Sequence, residues 1–343
     1  MNLLLSAESA LWLQFAVFAV ATVVILVAGS KMSFLADRIA DQTGFGEALT
    51  GAVLLGAATS LPGVITSAWT AYNGYASLAY SNAIGGIAVQ SLFLVVADFF
   101  YRRANLEHAG ADISNIINGS VLIALLGIML AASLGPDITV FAIHPASILI
   151  FVGYVYGLSL AQSSSVDPMW RVTPTHETKE DEPDDEAKHT PLKRTIPGFL
   201  LCLVLVGIAG FAVAQIGTTF VSSLDVSQGL VGTLLTSTVT SLPELVTAIA
   251  AVRAGSPQLA VGGIIGGNAF DTLFAGVADI AYRNGSIYHA ITDGERFLTA
   301  IVIAMTAIFV LGMLQRERRN IGFEGWIVAA LYVIAVASLV TMG

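Results

Sequence analysis

The chain of 343 residues is poor in charge and has almost no cysteine. Only 11% of its residues are charged, against about 25% in a soluble domain. That deficit excludes an ordinary globular enzyme, and the apolar share of 55% with a mean hydropathy of +0.79 points to lipid instead. Cys202 is the single cysteine, which excludes a disulfide scaffold and leaves it as a small core residue. No basic patch interleaves with aromatics, so nucleic acid is not an expected partner. Alternation of apolar and polar residues in ten-residue pieces is also missing, which excludes an outer-membrane barrel. The net charge of −9 is mostly local, since seven of the 24 acids lie between Glu177 and Glu186.

What the chain does have is long apolar runs. A bilayer-spanning helix needs about 20 such residues. Runs at 11–30, 48–72, 76–100, 114–134, 139–161, 196–222, 227–252, 256–281, 297–315 and 323–342 predict ten spans, the first retained as a mature helix. Cytoplasmic loops collect lysine and arginine. With the N-terminus outside, 13 of the 15 basic residues fall on the inner side, and only Arg283 and Arg296 fall outside. Both termini are therefore expected outside a plasma or inner membrane, with lipid as the surrounding partner. Residues 163–195, carrying four prolines and the acidic run, are expected to form a solvated cytoplasmic linker between repeats at 1–162 and 196–343.

The two halves repeat. Thr59-Ser60-Leu61-Pro62 recurs as Thr240-Ser241-Leu242-Pro243, and the same offset of 181 carries Ile84-Gly85-Gly86 onto Ile265-Gly266-Gly267 and Asp98 onto Asp279. Five spans separate each residue from its counterpart. An odd number means that the halves insert in opposite senses, the build of secondary transporters with a midplane site at broken helices. Pro62 and Pro243 are expected to break spans two and seven, and Gly262 to Gly267 to admit a close helix neighbour.

Charges in mid-span are costly and mark function. Two qualify, Glu244 and Asp271, and they are expected to ligate a hard cation through oxygen. Thr240, Ser237, Asn268, Thr59 and Gln90 could add further oxygens, although hydroxyls often bond back to their own helix. Asp98 and Asp279 are read as caps or pairs at the interface, and Glu47 and His144 as interfacial.

These motifs resemble the α-repeats of the calcium/cation antiporter superfamily, which includes the sodium/calcium exchangers. The resemblance extends over nearly the whole chain and implies an all-α fold of ten transmembrane helices in two inverted five-helix repeats. It implies Glu244 and Asp271 as metal ligands, backbone carbonyls of Thr59 and Thr240 at the ion, and Gln90 in the amide position of the first repeat. Three departures stand out. Gly63 occupies the place of the first repeat's glutamate, Gly86 and Gly267 replace serines, and Ile87 replaces an asparagine. The expected function is antiport of calcium or another divalent cation against sodium or protons, with no catalysis, no cofactor and no obligatory protein partner. Exchange of monovalent cations or protons alone, or a degenerate homologue with a structural or sensing role, are the alternatives. If Gly63 faces the ion, an acid placed there should strengthen calcium binding.

Overall fold

The computed structural model describes residues 10–43, 49–101, 104–166, 172, 192–315 and 321–342. Glu47 and most of the linker, 167–171 and 173–191, lie outside the described residues.

The first apolar run starts α1 (Leu11–Val24), passes through a π turn (Ile25–Gly29) and continues as α2 (Ser30–Thr43), well beyond the run's end. Then follow α3 (Leu49–Tyr72), α4 (Ala76–Phe100), a single turn α5 (Leu106–Ala109), α6 (Ile113–Leu134), α7 (Pro145–Val166) and α8 (Leu192–Leu224). The seventh span comprises α9 (Gln228–Leu230), a π turn (Val231–Thr236), α10 (Ser237–Thr240) and α11 (Leu242–Ala254). The chain then continues through α12 (Pro257–Ala281), a 3-10 turn (Ile287–His289), α13 (Asp293–Leu314) and α14 (Phe323–Met342). Residues 139–144, expected to open span five, instead form a turn with an isolated bridge between Val140 and Ile143.

Eight of these helices are long and apolar enough to cross a membrane, and the pair Gln228–Thr240 and Leu242–Ala254, bent by 47°, makes a ninth. With the 24 residues of α3, the protein has ten transmembrane helices, arranged as two inverted five-helix repeats. Lipid-facing side chains such as Trp12, Val152 and Val204 are exposed, whereas α4 and α12 are the most enclosed spans.

The repeat reaches further than its motifs. Gly29 and Gly210 stand 181 residues apart, and each touches the proline of the other half. A Cβ on Gly29 would lie 2.5 Å from Pro243 Cγ, and one on Gly210 would lie 2.8 Å from Pro62 Cα. The first helix of each repeat thus packs against the TSLP turn of the opposite one, which sets α3, α4, α11 and α12 at the centre.

The prolines behave differently from each other. The seventh span breaks at Ser241, with Pro243 in the first turn of α11. The second span does not break: α3 stays helical through Pro62, and Thr66 Oγ1 donates to Pro62 O at 2.8 Å. A proline removes one backbone donor, and in a membrane helix packing against neighbouring helices lets the chain continue through that gap.

Candidate cation site

Asp271, 1% exposed, sits in mid-α12. Ser60 of α3 donates to its Oδ1 at 2.7 Å. Gln90 Nε2 of α4 donates to its Oδ2 at 2.6 Å and reaches Ser241 Oγ at 3.1 Å. The pairing follows the repeat, because Ser60 and Ser241 are counterparts and so are Gln90 and Asp271. Each half contributes a TSLP serine to the polar residue on the enclosed helix of the other. Glu244, in the first turn of α11, is buried, takes a hydrogen bond from Thr59, and lies within the field of Asp271.

Three oxygens of this group have no hydrogen-bond partner: Glu244 Oε2, Gln90 Oε1 and Asn268 Oδ1. All three residues are at least nine-tenths buried. A buried acceptor without a donor costs roughly 1–3 kcal/mol, so three together mark a place that a cation or a proton completes. The surplus consists entirely of oxygen acceptors, the set that a hard cation takes.

The remaining expected residues are placed as follows. Thr59 also donates to Gly56 O at 3.2 Å, Thr240 donates to Ser237 O, and Ser237 Oγ donates to Thr233 O at 2.6 Å beside Gly85. The hydroxyls of Thr240 and Ser237 are therefore engaged on their own helix and not among the carboxylates. Asn268 Nδ2 reaches Ser91 Oγ at 3.4 Å, which leaves its oxygen free. Ile87 is fully buried in the core. Gly86 and Gly267 both line the site: a Cβ on Gly86 would lie 3.6 Å from Asp271 Oδ2, and one on Gly267 would lie 3.5 Å from Gln90 Oε1. Of the other glycines in that run, Gly262 makes the close approach, against Asn115 of α6, while Gly263 meets nothing.

Gly63 departs from the expectation that it faces the ion. Its side-chain direction is filled by the ring of Phe274, whose Cζ lies 3.0 Å from an ideal Cβ. Phe274 is 3% exposed and packs edge-on against Phe270. The place of a first-repeat acid is occupied by an aromatic ring from the second.

Ser60 and Ser241 were not singled out from the sequence, although both lie inside the repeated TSLP, and that repetition was the available signal. Three other buried acids cap the chain. Asp98 Oδ1 accepts from Leu106 N, and Asp279 Oδ1 accepts from Ile287 N, both at 2.9 Å. Asp279 Oδ2 also takes the backbone N–H of His144 at 2.7 Å, and His144, just before the start of α7, is buried. Glu295 forms a capping box with Thr292.

Ten apolar helices in an inverted repeat, with a buried cluster of oxygen acceptors where a broken span crosses an enclosed one, define a secondary cation antiporter. The chain belongs to the sodium/calcium exchanger protein family, whose sequence profile matches residues 13–162 and 195–341. It is 25% identical over 331 residues to the uncharacterized membrane protein MJ0091 of Methanocaldococcus jannaschii, covering 92% of this chain and 95% of that one. Its fold is similar to that of the sodium-calcium exchanger NCX_Mj, with a TM-score of 0.63 at 20% identity over 96% of this chain and 99% of that one. It is also similar to the H+/Ca2+ exchanger CAX, with a TM-score of 0.64 at 13% identity over 96% and 87%.

Proposed function

We propose that the protein exchanges calcium, or a divalent cation of similar hardness, for sodium or protons, with Glu244 and Asp271 as the charged ligands. The observation that carries this reading is the set of three buried, unpartnered oxygens on Gln90, which bonds Asp271, on Asn268 of the same helix as Asp271, and on Glu244 just after the break in the seventh span. Gln90, Asn268 and Ser60 complete the oxygen shell, while Thr59 positions Glu244. Of the two similar exchangers, one is named for sodium and the other for protons, and this site suits either counter-ion.

Two carboxylates balance one divalent ion, two monovalent ions or two protons. A third monovalent ion would leave an unpaired charge in low dielectric, which is costly. The cycle is therefore electroneutral. In proteoliposomes, calcium-45 uptake is expected under an imposed sodium or pH gradient and should be indifferent to a potential clamped with potassium and valinomycin. Uptake that tracks the voltage would refute the balanced cycle, and sodium or rubidium exchange without calcium would favour the monovalent alternative. Calcium affinity should weaken as pH falls, because carboxylates must be ionised to hold the metal.

The distribution of basic residues supports a cytoplasmic linker joining the two repeats, with both termini outside. A cysteine introduced at Ser164 should resist impermeant thiol reagents in intact cells, while one at Ser6 should be labelled. The reverse pattern would invert the orientation.

A further inference from the structure

The two ends of the inverted repeat are built on one plan and filled with opposite chemistry. Asp98 and Asp279 are counterparts, each accepting from a backbone N–H eight residues on. The offset of 181 then carries Asn105 onto Ser286, Glu107 onto Tyr288 and His108 onto His289.

At the second-repeat end, donors exceed charges. Asp279 receives Ile287 N, His144 N and Ser147 Oγ, the last two at 2.7 Å, while Asp137 lies 3.6 Å from the His289 ring. Tyr288, in the position of Glu107, pairs its hydroxyl with Ser147 at 3.0 Å.

At the first-repeat end, acceptors exceed donors. Three carboxylates face one another: Asp98 from α4, Glu107 from α5 and Glu324 from the first turn of α14. Glu107 and Glu324 are each 1% exposed. Asn105 offers its amide to Glu324 and Glu107, while its oxygen takes His108 N at 2.8 Å. One oxygen of each glutamate, Glu107 Oε2 and Glu324 Oε2, has no partner. No cation from a neighbouring described element meets them. α12 presents Pro257 and Val261 to Gly110 at the end of α5, α13 presents Gly312 to Glu324, and the titratable His108 lies in the same turn. Among the described residues, no group of three acidic, histidine or cysteine side chains is arranged to hold a metal ion. The ligand that fits is a proton.

We propose that Glu107 holds a bound proton and, with Asn105 and Glu324 beside it, forms a proton site, separate from the cation site, that latches α14 to the turn between α4 and α6. The proton comes from the aqueous side at this end, which the proposed orientation makes cytoplasmic, and it binds the Glu107 carboxylate to give a carboxylic acid. That O–H supplies a donor to a cluster in which acceptors are in excess. Burial first, and the nearby Asp98 and Glu324 next, hold the Glu107 carboxyl well above the usual carboxylate range. Loss of the proton sets like charges against each other where α14 meets α4. From Asp98, α4 runs unbroken to Gln90, eight residues or about 12 Å away. The latch therefore bears on the helix that carries a ligand of the cation site.

The sign of the effect follows from the raised affinity. The folded chain binds more protons than the unfolded chain between the ordinary glutamate range and the raised one, so stability falls as pH rises through that window. The test is the thermal midpoint of the full-length protein in detergent, without transported cations, across that pH range. Wild-type midpoints should fall by several degrees as pH rises. Glu107→Gln should flatten that fall, because an amide supplies the donor at any pH, and Glu324→Gln should reduce it, because it removes a charge that raises the Glu107 carboxyl. Curves for both glutamine variants that fall in parallel with wild type would overturn the proposal. Should one variant fail to fold, the other carries the comparison, and an infrared band of protonated carboxyl in the Glu244→Gln protein that does not change with pH would overturn it as well. None of these readings depends on transport, so failure of the antiport reading leaves them intact.

Discussion

Replacing Glu244 by glutamine is expected to abolish exchange while the protein remains folded and inserted. The substitution keeps the shape of the side chain and its hydrogen bond from Thr59, so packing at the start of α11 is preserved. It removes one of two formal charges, and it puts an amide where Glu244 Oε2 or its neighbour offered only acceptance. A divalent ion would then face a single carboxylate in a site closed to water, a deficit of one charge in low dielectric. Calcium flux in proteoliposomes should drop to the level of empty vesicles, with the thermal midpoint unchanged or raised. Asp271→Asn should cost less, since an amide oxygen still coordinates, although its NH2 would compete with the donors Ser60 and Gln90. Normal flux in the Glu244 variant would place the ion elsewhere. Equal losses in both would mean that the two acids neutralise one divalent ion jointly.

Gly63→Glu is expected to harm the protein rather than repair its site. A Cβ at that position meets the Phe274 ring in a fully packed region, and overpacking costs about 1–3 kcal/mol. The carboxylate beyond it would be driven into the apolar group of Phe270 and Phe274 without a partner, a further cost of several kcal/mol. The single variant should therefore show a much lower thermal midpoint and little transport. Adding Phe274→Ala should free the ring's volume for the glutamate and recover part of the stability. The double variant should bind calcium more tightly or transport in a voltage-sensitive way, because it now has a third acid near the ion. A single variant as stable as wild type, with raised calcium affinity, would show that the ring does not stand in the way.

The same pair of residues illustrates what sequence could and could not reveal. The absence of the first-repeat acid was legible as Gly63 in TSLPG. The filling of its space was not, because Phe274 is an ordinary apolar residue on a helix that is apolar on most of its surface, and no periodicity says which way it points. Ser60 and Ser241 were similarly hidden within motifs whose threonines draw attention first. Only the crossing of α3 with α12 and of α4 with α11 aims those serines at Asp271 and toward Gln90.

By itself, the sequence determined the architecture. Ten apolar runs, one dominant orientation of charge and a repeat at a fixed odd number of spans are consequences of the bilayer, which forces every backbone group into helices and penalises each misplaced charge. The two mid-span acids were evident for the same reason. Tertiary structure decided the rest. It broke the span with Pro243 and left the one with Pro62 intact, and it set Gly29 and Gly210 against the opposite prolines. It also gave Asp279 a full set of donors while leaving Glu107 and Glu324 short. These outcomes depend on which faces of distant helices meet, and in an apolar chain hydrophobicity hardly distinguishes one face from another. The register is set by close packing and by the pairing of a few buried polar groups, whose partners lie as far apart in sequence as the repeat itself.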